Sequence, residues 1–187
     1  MQFGVQELMG GSEILSGAQM GKQLFAALVA GAKRPDEPEP AFIDFTGIRV
    51  ATASFLRESV IAFRDYARST LTTLYPVIAN ATPPVTEEIA FFLHHRNDAL
   101  WACDREPNGA IRNIRLLGEL DDTQRATFES VLRLGEATAP ALAANEQGAT
   151  VGATAWNNRL SSLAALGLLM ERRGGKTKLF VPVLRST

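Results

Sequence analysis

The sequence predicts an α+β protein in which a sheet covered by helices is followed by a smaller module of three helices and a hairpin. Up to residue 119, short apolar strands alternate with amphipathic helices, which favours a helix-covered sheet. From residue 120 the helices come first and two strands follow. The charge changes at the same place, since residues 1–119 carry 11 basic and 14 acidic side chains whereas residues 120–187 carry 8 and 6. We therefore expect two domains, 1–119 and 120–187.

The composition is that of an ordinary globular protein. Hydrophobic residues make up 46% of the 187 positions, which is enough to bury a core in either domain. A formal net charge of −1 disfavours a general polyanion binder but permits a local basic patch. The longest apolar stretch, 24–32, is too short to span a bilayer, which needs ~20 residues. With no signal peptide evident, we expect a cytoplasmic protein without a membrane partner.

The first half contains the signals of a layered fold. Strands are predicted at 2–8, 13–15, 41–45, 75–79, 99–103 and 111–117. Ser16 and Thr52 stand at N-cap positions, where a hydroxyl accepts from a free backbone N–H. A third helix begins at 86–88 with acidic residues in its first turn. The helix after Thr52 has apolar residues at spacings of 4, 3 and 4, which form one face: Leu56, Val60, Phe63 and Ala67. The three prolines of KRPDEPEP, 33–40, predict a loop.

The second half has the order of a winged helix-turn-helix. A helix over 123–134, with Phe128, Val131 and Leu132 inward, ends at Gly135. A short helix capped by Thr138 and a third helix capped by Thr154 follow. Two strands, 168–172 and 176–183, are joined through two glycines, which is a hairpin signal because both accept positive φ. Three helices and a hairpin within about 65 residues predict this fold.

The third helix of this module is the strongest functional signal. With Trp156, Leu160 and Leu163 inward, a step of 100° per residue turns the polar residues outward. Asparagine pairs with adenine edges, and cations on a hairpin neutralise phosphates. We expect double-stranded DNA to contact the following residues: Thr154, Asn157, Asn158, Arg159, Ser161, Arg172, Arg173, Lys176 and Lys178.

A resemblance supports this expectation. The string TAWNNRLSSLAALGLLMERRGGKTKLFVPV, 154–183, resembles the recognition helix and wing of bacterial winged-helix regulators. The matching pattern is an arginine–leucine pair, a second leucine, LGLL, a basic hairpin and an apolar return strand. The resemblance implies that Asn157, Asn158 and Ser161 face bases and that the hairpin cations face phosphates. The helix departs from the family in its neutral outer face.

The first domain carries a second resemblance. Residues 41–58, AFIDFTGIRVATASFLRE, are similar to the central signature of STAS domains, the fold of anti-sigma-factor antagonists. That signature is an apolar strand ending in Asp, then Ser/Thr-Gly, then a serine at a helix start. The helix LSGAQMGKQL and the string ASFLRE resemble more closely the STAS-like domain family of unknown function. The resemblance covers about the first 117 residues.

Ser54 has two interpretations. In STAS antagonists the serine at this helix start is phosphorylated by a partner kinase, and the resemblance implies that Ser54 is a phosphorylation site. A phosphate is tolerable at a helix N-terminus because free N–H groups lie there. The usual acidic residue and following glycine are Thr52 and Phe55 in this chain, however. The residues themselves favour a simple role for Ser54 and Thr52 in capping the helix.

Nothing in the sequence supports catalysis, a metal or a cofactor. The adjacent His94 and His95 point to different sides of a helix, so they do not chelate one metal together. The single cysteine, Cys103, excludes an internal disulfide and a thiolate zinc site, and its apolar strand predicts an inert buried thiol. Lys22 lacks the glycine-rich loop of a phosphate cradle. The tryptophans, Trp101 and Trp156, are expected to anchor the core.

Two functions are consistent with these features. The first is a DNA-binding transcriptional regulator of bacterial type, in which the STAS-like domain receives a signal or a protein partner. Because one recognition helix gives a short footprint, we expect a homodimer or a larger assembly on DNA. The alternative is a partner-switching adaptor in which the winged helix docks protein and not DNA.

Overall fold

The computed structural model describes residues 1–94, 96–145, 151–175 and 177–185, and it belongs to the α+β class. Its central sheet has five strands in the order β1-β3-β5-β6-β7, parallel except for β7, which is antiparallel to β6. A parallel pair, β2-β4, lies beside the sheet, and an antiparallel hairpin, β8-β9, ends the chain. The strands are β1 (Gln2–Gly4), β2 (Ile14–Leu15), β3 (Glu39–Asp44), β4 (Val50–Ala51), β5 (Leu74–Ala79), β6 (Ala99–Arg105), β7 (Ile111–Gly118), β8 (Leu169–Gly174) and β9 (Thr177–Pro182).

Helices connect the parallel strands, as a parallel sheet requires. They are α1 (Val5–Leu8), α2 (Gly17–Gly31), α3 (Ala53–Leu56), α4 (Ala62–Thr70) and α5 (Pro83–His94), with a π-helical turn at Arg57–Ile61 between α3 and α4. Close packing of α2 on α3 depends on Gly21, since a Cβ there would lie 2.6 Å from the carbonyl oxygen of Phe55. The apolar face predicted for the α3–α4 segment is confirmed: Leu56, Val60, Phe63 and Ala67 are all buried.

The two faces of the sheet belong to different cores. Ile43 and Leu100 point to the face covered by α2 to α5. Their neighbours in the strands, Phe42 and Trp101, point to the opposite face, because successive side chains of a strand alternate. On that opposite face they pack with residues from the second half of the chain, including Phe128 of the helix that follows β7. The sheet therefore lies between its own helices and the described residues of the second half.

The second half forms three helices and the hairpin. The helices are α6 (Asp122–Leu134), α7 (Ala139–Asn145) and α8 (Ala153–Ala165). Gly135 ends α6, as predicted, and it does so in the left-handed conformation. At the start of the helix, Asp121 and Gln124 form a reciprocal capping box. An isolated bridge between Ala137 and Phe180 connects the α6–α7 segment to β9. The expected boundary at 119/120 thus lies in the connection between β7 and α6.

Several local expectations are wrong. Residues 5–8 form α1 and do not continue the strand from residue 2, and α5 begins at Pro83. The predicted 33–40 loop ends at residue 38, because β3 begins at Glu39. Ser16 and Thr52 occupy N-cap positions, but neither caps its own helix; the Thr52 hydroxyl accepts instead from the backbone N–H of Gly17, at 3.2 Å. Gly152, not Thr154, is the N-cap of α8. Leu132 is 44% exposed because α6 packs through Phe128 and Val131.

Candidate nucleic-acid interface

The helix α8 is anchored by three apolar side chains. Trp156, Leu160 and Leu163 are 4%, 0% and 0% exposed, as the sequence predicts. Their spacing of 4 and 3 places them on one side of the helix, where they join the core shared with the sheet. This packing fixes which residues of α8 are left for a partner.

The opposite side of α8 is polar and accessible. Thr154 and Asn158 are exposed, and Asn157 and Ser161 are half-buried. Arg159 lies on the flank, with its guanidinium carbon 5.1 Å from the centroid of the Trp156 ring. A guanidinium at this distance over an aromatic face makes a cation–π contact, which holds the Arg159 side chain along the helix.

A shallow concave surface is formed where α8, α7 and β9 meet; we refer to it as the helix–hairpin surface. Thr154 and Asn157 contribute from α8, Ala139 and Pro140 from α7, and Lys178 from β9. All the described residues that line it belong to the second half of the chain. The asparagine-bearing start of α8 is therefore not covered by residues 1–119.

The hairpin cations differ in their surroundings. Arg172 and Arg173 are exposed, and neither forms an ion pair with another described residue. Lys178 stands opposite Arg173 in the hairpin register, and its amino group forms an ion pair with Glu171 at 3.0 Å. Lys176 lies outside the described residues. Glu171 thus neutralises one of the cations that the sequence assigns to phosphates.

The candidate residues divide between two neighbouring surfaces. Ser161, Arg172 and Arg173 do not line the helix–hairpin surface but a cleft between the two halves of the chain, which we call the arginine cleft. Arg34 from the loop over 33–38 and Arg68 from α4 lie in the same cleft. Sequence reasoning missed both arginines, because they are separated from the hairpin by more than 100 residues. Only the packing of the second half on the sheet brings them together.

Ser54 is the second residue of α3 and is half-buried. Its hydroxyl lies 3.3 Å from that of Thr52. Close to this helix start, Ile14 and Val50 pair across β2 and β4 and are 58% and 42% exposed, and Phe91 of α5 is 68% exposed. Val50 and Phe91 line one groove with acidic residues of α5. We call these three side chains the apolar patch.

The other candidate residues do not cluster into a site. No group of three or more metal-ligating side chains occurs among the described residues. His94 pairs with Glu119 at 2.7 Å, and His95 lies outside the described residues. Cys103 is fully buried, and burial raises the pKa of its thiol to about 11. Lys22 is exposed, and both tryptophans are buried core residues.

In the described part of the chain, every helix is too short or too polar to cross a bilayer. Comparison of the chain with protein-family models, curated proteins and solved structures gave no match. The functional assignment therefore depends on the geometry of the surfaces described above.

Proposed function

We propose that this protein is a DNA-binding transcriptional regulator in which residues 120–187 act as a winged helix and residues 1–119 as an STAS-like receiving domain. The order α6–α7–α8–hairpin supports the winged helix, as does the Ala137–Phe180 bridge that connects the first two helices to the hairpin. The STAS-like assignment is supported by a strand that ends at Asp44, followed by Thr46, Gly47 and the helix that contains Ser54.

The helix–hairpin surface is the observation that carries the proposal. A B-DNA major groove is about 12 Å wide and admits one helix. Thr154, Asn157 and Asn158 lie on the accessible side of α8, and Lys178 lies on the strand beside it. In this arrangement α8 enters the groove while the hairpin contacts the phosphate backbone and fixes the register.

Each group of residues has a distinct role in this mechanism. Asn157 and Asn158 offer paired amide donors and acceptors, which suit adenine edges. The hairpin residues Arg172, Arg173 and Lys178 supply positive charge, which attracts DNA phosphates whatever the base sequence. Arg159 stays on the flank of α8 near Trp156, where it reaches phosphate more readily than base. A homodimer would present two such helices to two half-sites.

Binding to a duplex over a series of salt concentrations tests the proposal. Arg173→Ala should reduce the slope of log affinity against log salt by about 1, the value for one lost phosphate contact. Glu171→Gln frees Lys178 from its ion pair and should have the opposite effect, with tighter binding and a slope steeper by up to about 1. Asn158→Ala should relax sequence preference with little change in slope.

The control is Arg49→Ala, since Arg49 has a 74% exposed side chain in the first half of the chain. It should leave both affinity and slope unchanged. If the wild-type protein binds no duplex at low salt, or if Arg173→Ala and Arg49→Ala behave alike, the DNA-binding proposal is wrong.

The apolar patch favours a second candidate, a partner-switching adaptor that binds a regulatory protein at the first domain. Ile14, Val50 and Phe91 are exposed apolar side chains close to Ser54, and such patches mark protein-interaction sites. In this function, phosphorylation of Ser54 would control the partner. Intact-mass measurement of protein from its native host tests that step; unmodified Ser54 under all growth conditions would contradict it.

A further inference from the structure

The arginine cleft has the dimensions of a ligand site. Its volume is about 740 Å³, within the range of roughly 300–1,000 Å³ typical of small-molecule pockets. Four segments that are distant in the sequence build it: the 33–38 loop, the region from the end of α4 to β5, the end of α8, and β8. It lies at the junction of the two halves of the chain.

Arg68 is the best-positioned cation of this cleft. Its Nη1 donates to the backbone carbonyls of Thr72 and Leu74 at 2.8 and 3.0 Å, and its Nε donates to the carbonyl of Ala164 at 3.2 Å. Its guanidinium carbon lies 3.7 Å from the centroid of the Tyr75 ring. These contacts hold the guanidinium in one orientation, so it is prepared for a ligand before the ligand binds.

The charge of Arg68 lacks a counter-ion. Among the described residues no carboxylate lies within ion-pair distance of its guanidinium, whose hydrogen bonds go to backbone carbonyls. Burial lowers the pKa of Arg68, although Tyr75 and Glu171 act in the opposite direction. A partly buried cation without a paired carboxylate is costly, and an anion in the cleft would offset that cost.

The rest of the lining favours a multivalent anion. Arg34, Arg172 and Arg173 add three guanidinium groups to that of Arg68. Three acidic residues also line the cleft: Asp36 and Glu37 are exposed on the loop, and Glu171 is engaged by Lys178. A phosphate group presents several oxygens to more than one guanidinium, whereas a single carboxylate neutralises only one.

We propose that the arginine cleft binds a small phosphate ester of nucleotide size and that this ligand opposes DNA binding. The second part rests on the proposed function, because Arg172 and Arg173 line the cleft and are also the cations assigned to the DNA backbone. A ligand that occupies them removes phosphate contacts from the duplex. By linkage, bound DNA lowers the affinity for the ligand by the same factor by which the ligand lowers the affinity for DNA.

The binding step is tested without DNA, using inorganic pyrophosphate as the probe and sodium chloride at matched ionic strength as the reference. Titration followed by ¹H–¹⁵N NMR should give saturable shifts at the Arg68 Nε–H and at backbone amides of 33–40 and β8. Arg34→Ala and Arg172→Ala should each weaken binding about tenfold, as expected for loss of one charge-assisted hydrogen bond. Both side chains are exposed, so these variants should fold normally.

Arg49→Ala is the matched control and should bind pyrophosphate like the wild type. If no saturable shift occurs at Arg68, if chloride gives the same shifts, or if Arg34→Ala binds like Arg49→Ala, the cleft is not an anion site. That result would leave the DNA proposal standing.

The coupling step is tested by adding pyrophosphate to a preformed duplex complex. Release of the duplex beyond the effect of matched chloride supports antagonism; equal release by the two salts contradicts it. If the protein binds pyrophosphate but no duplex, the anion site in the cleft is supported and the proposed DNA-binding function is contradicted.

Discussion

The indole Nε1 of Trp101 donates a 2.9 Å hydrogen bond to the backbone carbonyl of Leu168, 67 residues later in the chain. Trp101 lies on β6 within the central sheet, and Leu168 lies directly before β8. A second link has the same effect, since the backbone N–H of Glu171 donates to the Tyr75 hydroxyl at 3.0 Å. These bonds fix the hairpin relative to the sheet, and so they position both the helix–hairpin surface and the arginine cleft.

Trp101→Phe should destabilise the protein more than Trp156→Phe. Both changes replace a buried indole with a smaller phenyl ring. The Nε1 of Trp156 has no hydrogen-bond partner among the described residues, so only Trp101→Phe removes a hydrogen bond. The carbonyl of Leu168 still accepts from the N–H of Val183, at 3.2 Å. The difference should therefore be that of one ordinary hydrogen bond, about 0.5–1.5 kcal/mol. Urea denaturation measures it; equal stability of the two variants would contradict the assigned link.

Asp98→Ala should be among the most destabilising single changes. Arg64 and Asp98 are both buried and form two hydrogen bonds of 2.8 and 2.6 Å. Burial opposes the charge of Arg64, but Asp98 and then Asp65 outweigh that effect and raise its pKa. Removing Asp98 leaves the buried guanidinium without its buried counter-ion, which should lower the free energy of unfolding by about 3–5 kcal/mol. Urea denaturation measures this change. Asp65→Ala, which removes a 60% exposed partner of the same arginine, is the control and should cost less than about 1 kcal/mol.

Asp44 should contribute to acid sensitivity. Burial acts to raise its pKa, but hydrogen bonds from Thr46, Asn80 and Gln2 outweigh burial, and the pKa is lowered. Because the folded pKa lies below the unfolded value of about 3.9, the ionised group stabilises the fold above that pH. This contribution is lost as the pH falls through the folded pKa.

Asp44→Asn should therefore lower stability by about 0.5–1.5 kcal/mol at neutral pH, because most hydrogen bonds to this carboxylate are solvent-exposed, and the difference from wild type should shrink below about pH 4. Unfolding free energies measured from pH 7 to pH 3 give the comparison. Asp36→Asn, at an exposed position of the 33–38 loop, is the control and should parallel the wild type. A difference for Asp44→Asn that is constant down to pH 3 would rule out this role for the carboxylate.

Cys103 should be unreactive in the folded protein. Its side chain is fully buried on the sheet face that packs against the second half of the chain, and a pKa of about 11 leaves little thiolate at pH 8. A chromogenic disulfide reagent should label it only as the protein unfolds in urea, with the same midpoint as loss of secondary structure. Stoichiometric labelling within minutes under native conditions would mean that the two halves separate readily.

Much of the local structure follows from short-range pattern. The spacing of Trp156, Leu160 and Leu163 gives the correct inward side of α8, and the spacing of apolar residues from Leu56 to Ala67 gives that of the α3–α4 segment. Capping is less predictable, because a hydroxyl can serve a neighbouring helix, as that of Thr52 does for Gly17. Thr154 is misplaced by two positions for a similar reason: small residues before a helix leave its first turn ambiguous.

The α+β class, most of the element order and most of the buried residues follow from the sequence, because they depend on periodicities of two or 3.6 residues. Exceptions such as α1 and the exposed Leu132 depend on tertiary contacts, as does the packing of the second half on the sheet, with Trp101 bonded to Leu168. The same packing decided that Arg34 and Arg68 meet Arg172 in one cleft. The local sequence pattern predicts whether a side chain is buried or exposed. Which residues that side chain contacts depends on which helix and sheet faces, distant in the sequence, pack together.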